Sequence, residues 1–562
     1  MPKVTIDGIQ YEFNPGETII QVAERNGIHI PHYCWHPKLS VSGNCRMCLV
    51  EVEKMPKLVI ACSTLAMEGM VVHTKSERAI KGREHVMEFL LINHPLDCPI
   101  CDEAGECMLQ EYAYRHGTGY SRFIEEKNQK PKRVKLGPYV MFDAERCISC
   151  SRCIRFSKEI AKADQLTFVQ RGDRVTIETF PGKQFDNPYS LNVVDICPVG
   201  ALTNIDFRFK ARVWEMSATK SICPGCARGC NIDIWVRNNE ILRLTPRLNE
   251  SVNDYWMCDH GRINCFKFVN AKDRVDGPHL RKDGELIKVK WDEAVNYTIS
   301  ELKKFNPNEI AVIASPFATL EDNFVLLKFA KQVLRTKNIF YNPHIKPGDQ
   351  DDILIREDKT PNSTGLKLLG IQTSENGLSI ETLSEFIKTK VIKCLIVVED
   401  DPIASNSKLK DVLQNLDTVV VFATNQNKTT EYTKILYPAA TYAEKNGVFV
   451  NFQGIAQRLR PAISTIEMER TLDGMALSRL DKFGTEFDKW ARPVKYDAMS
   501  TWKILSQIAR GFGFKFDYMT SEDVFIEIGN NYRAFSGLNY ESLGDKGYKL
   551  NLTKVIEEKI LV

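Results

Sequence analysis

Apolar and polar residues alternate through VTIDGIQYEFN, residues 4–14, on either side of the pair Asp7-Gly8. Two β-rich runs joined by Asp-Gly predict a β-hairpin. Directly behind it, Ile19, Ile20, Val22 and Ala23 fit one helical stripe starting near Glu17, and Asn26-Gly27 supplies a stop. A second helical stretch near residues 77–92 leads into a cysteine-rich loop, and LGPYVMFDAERC opens another cysteine-rich unit. The Lys-rich EEKNQKPKRVK between them predicts a solvated connection. From about residue 285 the texture changes. WDEAVNYTISELKKF and NFVLLKFAKQVLRT are helix-like, whereas IAVIAS, CLIVVE and TVVVFAT are strand-like, and their alternation indicates an α/β region.

At about 150 residues per domain, 562 residues suggest roughly four domains. Lys plus Arg total 75 against 72 for Asp plus Glu, so a net charge of +3 provides no global field to gather nucleic acid. The opening MPKVTIDG lacks a secretory leader, and no apolar run approaches the ~18 residues of a membrane span, so any membrane association is expected through other subunits. No tandem repeat or coiled coil is evident, and TNQNKTTEYT reads as a surface loop. Without a Walker A loop or a GxGxxG opening a helix, neither nucleotide nor flavin is placed on this chain.

Sixteen of the seventeen cysteines lie before residue 266, and clustered thiols of a reducing compartment are more often metal ligands than disulfides. Cys394, in the buried-strand pattern VIKCLIVVE, reads as a core thiol, and Cys265 takes no assignment.

The first ligand set is Cys34, Cys45, Cys48 and Cys62, spaced C-x10-C-x2-C-x13-C behind the hairpin and helix. Four thiolates in a ferredoxin-like setting suit a [2Fe-2S] cluster, and the spacing departs from common zinc patterns. The second set, in NHPLDCPICDEAGEC, joins His94 to Cys98, Cys101 and Cys107. Zinc remains open there on spacing alone, but a neutral imidazole in place of a thiolate would leave a cluster less negative and readier to accept an electron. The remaining nearby histidines, His29, His32, His36, His73, His85 and His116, read as surface or core residues.

The third set begins CISCSRC, with Cys147, Cys150 and Cys153 copying the start of a bacterial ferredoxin run. Ser157 stands where the next cysteine belongs, and the Cys-Pro pair appears only at Cys197-Pro198. One cluster is therefore expected, closed by Cys197 across inserted strands that include FVQRGDRVTIETF. The fourth set, Cys223, Cys226, Cys230 and Cys258, is spaced C-x2-C-x3-C-x27-C. Zinc ribbons use similar pairs, and it is the neighbouring sets that favour a [4Fe-4S] cluster.

Taken in order, these elements resemble the large iron-sulfur subunit, the G subunit, of respiratory complex I, the NADH-quinone oxidoreductase. The resemblance implies a multidomain α+β and α/β chain: a β-grasp [2Fe-2S] module over 1–78, [4Fe-4S] domains over 79–118, 119–218 and 219–275, and a truncated, degenerate molybdopterin-oxidoreductase-like region over 276–562. It implies one [2Fe-2S] and three [4Fe-4S] clusters, the fourth off the main electron path, and no catalytic side chain. The implied partners are an NADH/FMN-binding subunit, a small [2Fe-2S] subunit and downstream iron-sulfur subunits of a peripheral arm on the cytoplasmic side of the inner (plasma) membrane, with the membrane arm reached only indirectly.

The segment from CPGCARGC onward, and LYPAATYAEKNGVFVNFQGIAQ, resemble molybdenum enzymes such as formate dehydrogenases. No interior cysteine stands where molybdenum would be held, DHGR follows Cys258 in place of Lys-Gly, and the pterin-binding C-terminal domain is expected to be absent, so neither pterin nor molybdenum is expected. An iron-only hydrogenase needs more downstream cysteines than Cys394. A soluble NAD-linked hydrogenase, formate dehydrogenase or ferredoxin oxidoreductase complex could use an equivalent subunit, and a zinc-binding interaction protein is the non-redox alternative.

Overall fold

The computed structural model describes residues 1–468 and 494–552, arranged as two compact units, Met1–Trp214 and Glu215–Val562. Part of the region expected over 276–562 therefore lies outside the described residues.

In the first unit, β1 (Lys3–Ile6) and β2 (Ile9–Glu12) form the expected hairpin, with Ile6 opposite Ile9. Asp7 (φ 49°) and Gly8 (φ 85°) are both left-handed, as the tight turn demands. Helix α1 (Ile19–Arg25) begins at a Thr18/Gln21 capping box and buries Ile19, Ile20, Val22 and Ala23. Strands β3 (Leu49–Val52), β4 (Val59–Ile60) and β5 (Val71–His73) complete a five-stranded sheet ordered β2-β1-β5-β3-β4, with β1 and β5 parallel. Val4, Ile6, Val50, Val52 and Val72 share a core with the buried residues of α1.

Helix α2 (Glu77–Ile92) is capped by Ser76, which accepts from the Ala79 N–H, and packs on α3 (Met108–His116). The connection over 125–135 is largely exposed, as its charge predicts. Beyond it come β6 (Val134–Lys135), β7 (Val140–Phe142), α4 (Arg152–Arg155), the inserted hairpin β8 (Leu166–Val169) and β9 (Thr176–Thr179), α5 (Asn192–Ile196) and β10 (Leu202–Asn204). Strand β10 pairs back on β7 and thereby returns Cys197 to the start of this segment.

The second unit opens with an antiparallel sheet, β11 (Ser217–Ile222), β12 (Asn231–Arg237) and β13 (Glu240–Pro246), followed by α6 (Asp259–Asn264). A hairpin that the sequence pattern did not suggest, β14 (His279–Lys282) and β15 (Glu285–Lys288), then leads through α7 (Trp291–Leu302), β16 (Ile310–Ala314), α8 (Leu320–Lys328), β17 (Ile339–Tyr341), α9 (Ser363–Leu368), the small pair β18 (Ser374–Glu375) and β19 (Leu378–Ser379), α10 (Leu383–Lys388), β20 (Cys394–Val398), α11 (Pro402–Ser405), β21 (Thr418–Ala423) and β22 (Ile435–Pro438). The large sheet is ordered β15-β14-β22-β21-β20-β16-β17, parallel from β22 to β17. IAVIA, CLIVV and TVVVFA are buried at every position because apolar clusters cover both faces. Strands β23 (Gly447–Val450), β24 (Ile455–Leu459) and β25 (Tyr548–Lys549), with α12 (Thr501–Gly511) and α13 (Ser521–Asn531), complete the described unit.

TNQNKTTEYT departs from a simple surface loop. Thr429, Thr430 and Thr433 are buried, and their hydroxyls find internal acceptors: Thr429 donates to Asp401 at 2.6 Å and Thr433 to the Ile435 carbonyl at 2.8 Å. Cys394 is fully buried in β20, as its strand pattern predicts.

Candidate iron-sulfur sites

The first thiol set occupies the loops that join the β-grasp elements. Cys34, Cys48 and Cys62 are buried and Cys45 is half-buried. The Cys34 N–H donates to Cys45 Sγ at 3.4 Å, with Gly43 (φ 65°) and Arg46 (φ 60°) turning the backbone around the thiols. Hydrogen bonds among the four lower the pKa of Cys34 and of Cys48 and raise that of Cys45 and of Cys62. Four such groups cannot all ionise unaided, so a set of four thiolates here calls for a cationic core between them.

At the second site, His94, Cys98, Cys101 and Cys107 line one small space together with Arg146 and Gly200. Cys107 stands at the start of α3, and Cys98 is exposed. Burial, helped by Arg146 and Lys127, pushes His94 down to about 4, so its imidazole is neutral at pH 7 with a lone pair to offer. Burial pushes Cys107 up to about 11 and raises Cys101, which Arg146 opposes. Asp97 orients Arg146 through two hydrogen bonds, at 2.9 and 3.1 Å.

At the third site, Cys147, Cys150, Cys153 and Cys197 line one small space walled by apolar side chains such as Phe142 and Ile177. Cys147 is pushed up to about 11 by burial. Ser149 (φ 53°) and Ser151 (φ 63°) reverse the chain between the thiols. Ser157 is buried away from this space, held by the Ala163 carbonyl and the Gln165 N–H. Cys197 therefore occupies the position that a consecutive run would have given to residue 157.

These three sites adjoin one another. Along the turning segment 197–202, Cys197, Val199, Ala201 and Leu202 line the third site while Gly200 lines the second. The first and third are bridged by arginines. Arg152 donates to the Trp35 carbonyl at 2.6 Å and to the Ile196 carbonyl at 3.1 Å; Arg155 reaches the carbonyls of Cys34 and Cys150. Tyr33, fully buried, feels both Cys107 and Cys45, placing it between the first and second sets. His29 bonds Tyr112 at 2.8 Å, His73 bonds Glu53 at 3.0 Å, and half-buried His32 stands edge-on to the Trp35 ring, all in keeping with packing and surface roles.

The fourth set lies at the β11/β12 turn and the start of α6. The Cys223 N–H donates to the Cys230 carbonyl at 2.8 Å, and Cys258 caps α6 by accepting from the Gly261 N–H at 3.4 Å. Burial first, and then the neighbouring Cys223, Cys226 and Cys258, push the Cys230 thiol well above its usual range. Cys265, left unassigned by the sequence, sits with its Sγ 3.9 Å from that of Cys223. Its separation from Cys258 by seven residues, two helical turns, is the signal that could have found it.

In the second unit the parallel strand order reverses between β16 and β20, where open α/β sheets bind ligands beyond the strand carboxyl ends. Here the chain's own side chains fill that position. Lys445 Nζ lies 2.8 Å from Asp322 and 2.8 and 3.0 Å from the Glu399 oxygens, Thr501 donates to Glu399 at 2.8 Å, and the Trp502 N–H donates to Asp322 at 2.9 Å. All are buried or nearly so. Cys394 stands at the opposite end of β20. The residues at this crevice do not fit a pterin or a molybdenum thiolate.

Family profiles match this chain in sequence order. They are the 2Fe-2S iron-sulfur cluster binding domain over 2–77, the NADH-ubiquinone oxidoreductase-G iron-sulfur binding region over 83–122, and the NADH-quinone oxidoreductase subunit 3, ferredoxin-like domain over 137–203. The molybdopterin oxidoreductase Fe4S4 domain follows over 216–271, then molybdopterin oxidoreductase over 274–375 and 370–472. The NADH-quinone oxidoreductase G subunit of Rickettsia bellii is 42% identical over 334 residues, 59% of this chain and 48% of that protein. Over that shared stretch the chain is similar to NADH-quinone oxidoreductase G subunits. The mitochondrial NADH-ubiquinone oxidoreductase 78 kDa subunit of Neurospora crassa is 42% identical over 340 residues, 60% of this chain and 45% of that protein. A chain of an NAD+-reducing [NiFe]-hydrogenase in the H2-reduced state is 32% identical, with a TM-score of 0.35, over 38% of this chain and 91% of that one. The chain spans about half the length of the curated relatives it matches. Iron-sulfur domains of the 2Fe-2S and 4Fe-4S types are thus present in the expected order. Among the described residues, no helix is long and apolar enough to cross a membrane.

Proposed function

We propose that this chain is the electron-conducting iron-sulfur subunit of an NADH-quinone oxidoreductase, taking electrons from an NADH/FMN-binding subunit toward quinone. Bound clusters would supply one-electron redox chemistry without bond making. Cys34, Cys45, Cys48 and Cys62 would hold one [2Fe-2S] cluster. Three [4Fe-4S] clusters would rest on His94, Cys98, Cys101 and Cys107; on Cys147, Cys150, Cys153 and Cys197; and on Cys223, Cys226, Cys230 and Cys258. The domain boundaries stated from the sequence belong to this proposal. So do a small [2Fe-2S] subunit and downstream iron-sulfur subunits as partners, a position in the peripheral arm on the cytoplasmic side, indirect access to the membrane arm, and the absence of pterin, which the buried Lys445 network supports.

The carrying observation is the contiguity of the first three thiol sets within one unit. The peptide 197–202 divides the second from the third, and Arg152 and Arg155 tie the third to the first. Electron transfer needs short spacing and little solvent, and these residues provide walls, burial and positive charge, with no acid-base pair required. The neutral His94 reduces the negative charge at the second site.

The test is Cys150→Ala in the assembled complex. NADH-to-quinone turnover should be lost while flavin reduction by NADH survives, whereas Cys226→Ala should slow turnover far less. Undiminished turnover in Cys150→Ala would remove the third site from the conducting path.

A further inference from the structure

Five thiols, not four, surround the fourth site. Resting on the reading that this site holds a [4Fe-4S] cluster, we infer that Cys265 is a reserve ligand for the iron addressed by Cys223. Two thiolates on one tetrahedral metal, each about 2.3 Å away, stand about 3.8 Å apart. The Cys223 and Cys265 sulfurs are 3.9 Å apart, the spacing of two donors aimed at one corner. Each iron of such a cluster takes one protein thiolate when four are supplied, which leaves Cys265 beside an occupied position.

The surroundings are shaped for both sulfurs. A Cβ added at Gly225 would come within 2.9 Å of Cys265 Sγ and 3.5 Å of Cys223 Sγ; one at Gly261 would come within 3.0 Å of Cys223 Sγ and 3.4 Å of Cys258 Sγ. Cys258 and Cys265 flank α6 at its two ends. Independently, the Tyr442 hydroxyl is buried without a hydrogen-bond partner. After burial itself, the groups that most perturb this phenol are Cys265 and Cys223. An orphaned donor beside two sulfurs needs an acceptor, and a thiolate or sulfide at this site would supply one.

Exchange is balanced without a redox partner. The Fe–S bond to Cys223 breaks and one to Cys265 forms, the Cys265 proton passes to the departing Cys223 thiolate, and the iron keeps its oxidation state.

The test uses the full chain, prepared anaerobically with its clusters, with iron and sulfide analysis and low-temperature EPR after reduction. Wild type should carry about fourteen irons. Cys223→Ser should keep about fourteen, with an altered signal for the fourth site, whereas Cys223→Ser/Cys265→Ser should fall to about ten. Cys265→Ser alone should retain its iron but release that of the fourth site to a chelator several-fold faster than wild type. The signals of the first three sites serve as the folding control, and the chelator assay decides the matter if Cys223→Ser does not fold. A fall to about ten irons in a folded Cys223→Ser chain, or an unchanged release rate in Cys265→Ser, would overturn the inference. A wild-type chain with only about ten irons would instead remove the cluster on which it rests, and that is visible before any variant is made.

Discussion

Replacing Lys445 by methionine keeps the length of the side chain and deletes its charge. The ammonium group is 1% exposed and touches Asp322, 0% exposed, and Glu399, 6% exposed, through three contacts of 2.8–3.0 Å. Removing one partner of a buried ionic cluster strands the others in low dielectric and costs about 3–5 kcal/mol. At 1.4 kcal/mol per decade, protection of the α8 and α12 amides, including the Trp502 N–H that donates to Asp322, should fall by roughly two to three and a half decades in native-state hydrogen exchange at pH 7. The pH dependence follows from Glu399, whose carboxyl is raised by burial while Lys445 opposes the rise. A raised folded-state value gives stability that is complete below the unfolded value of about 4.3 and lost as pH climbs through the folded one. Without the lysine that rise is larger, so the variant should regain protection on going from pH 7 to pH 5 by more than wild type does. Neutralising all three groups, Lys445→Met/Asp322→Asn/Glu399→Gln, should recover most of the loss. A single variant within about 1 kcal/mol of wild type, or a triple variant worse than the single, would refute the description of this cluster as a tightly balanced buried network.

Gly200→Ala would drive a Cβ into Cys101 Sγ and to within 2.9 Å of Glu103 Cβ, so iron analysis should show the second site emptied while the third site's EPR signal persists. On the proposed ligand set, His94→Cys replaces a neutral donor by an anionic one. Redox titration should move the second cluster's midpoint to more negative values by more than about 50 mV, and an unchanged midpoint would detach His94 from the iron. Arg152→Met removes a buried cation bridging the first and third sites, and should weaken the protection of the Trp35 and Ile196 segments in hydrogen exchange without changing the iron content.

Local signals made much of this fold legible. Asp7-Gly8 announces its hairpin because both positions need left-handed backbone, and CLIVV or TVVVFA can only be strands covered on both faces. The missing closing thiol of CISCSRC points to the Cys-Pro pair at 197–198, and Cys197 lines one space with Cys147, Cys150 and Cys153. Illegible features depend on residues far apart in the chain. Lys445 reaches Asp322 across 123 positions with no periodic signature, and Cys265 meets Cys223 across 42, hinted at only by its seven-residue step from Cys258. The burial of the threonines of TNQNKTTEYT is hidden from the sequence for a similar reason. Their polarity suggested solvent, but hydroxyls can be internal wherever a carboxylate or carbonyl awaits them.

The turning segment 197–202 faces two chambers, presenting Gly200 to one and Cys197, Val199, Ala201 and Leu202 to the other. A change in its backbone course would therefore alter both compartments at once, in opposite senses, since widening one narrows the other. Natural variation along these six positions should be felt as a correlated adjustment of two potentials, making the step in driving force between them harder to alter than either value alone.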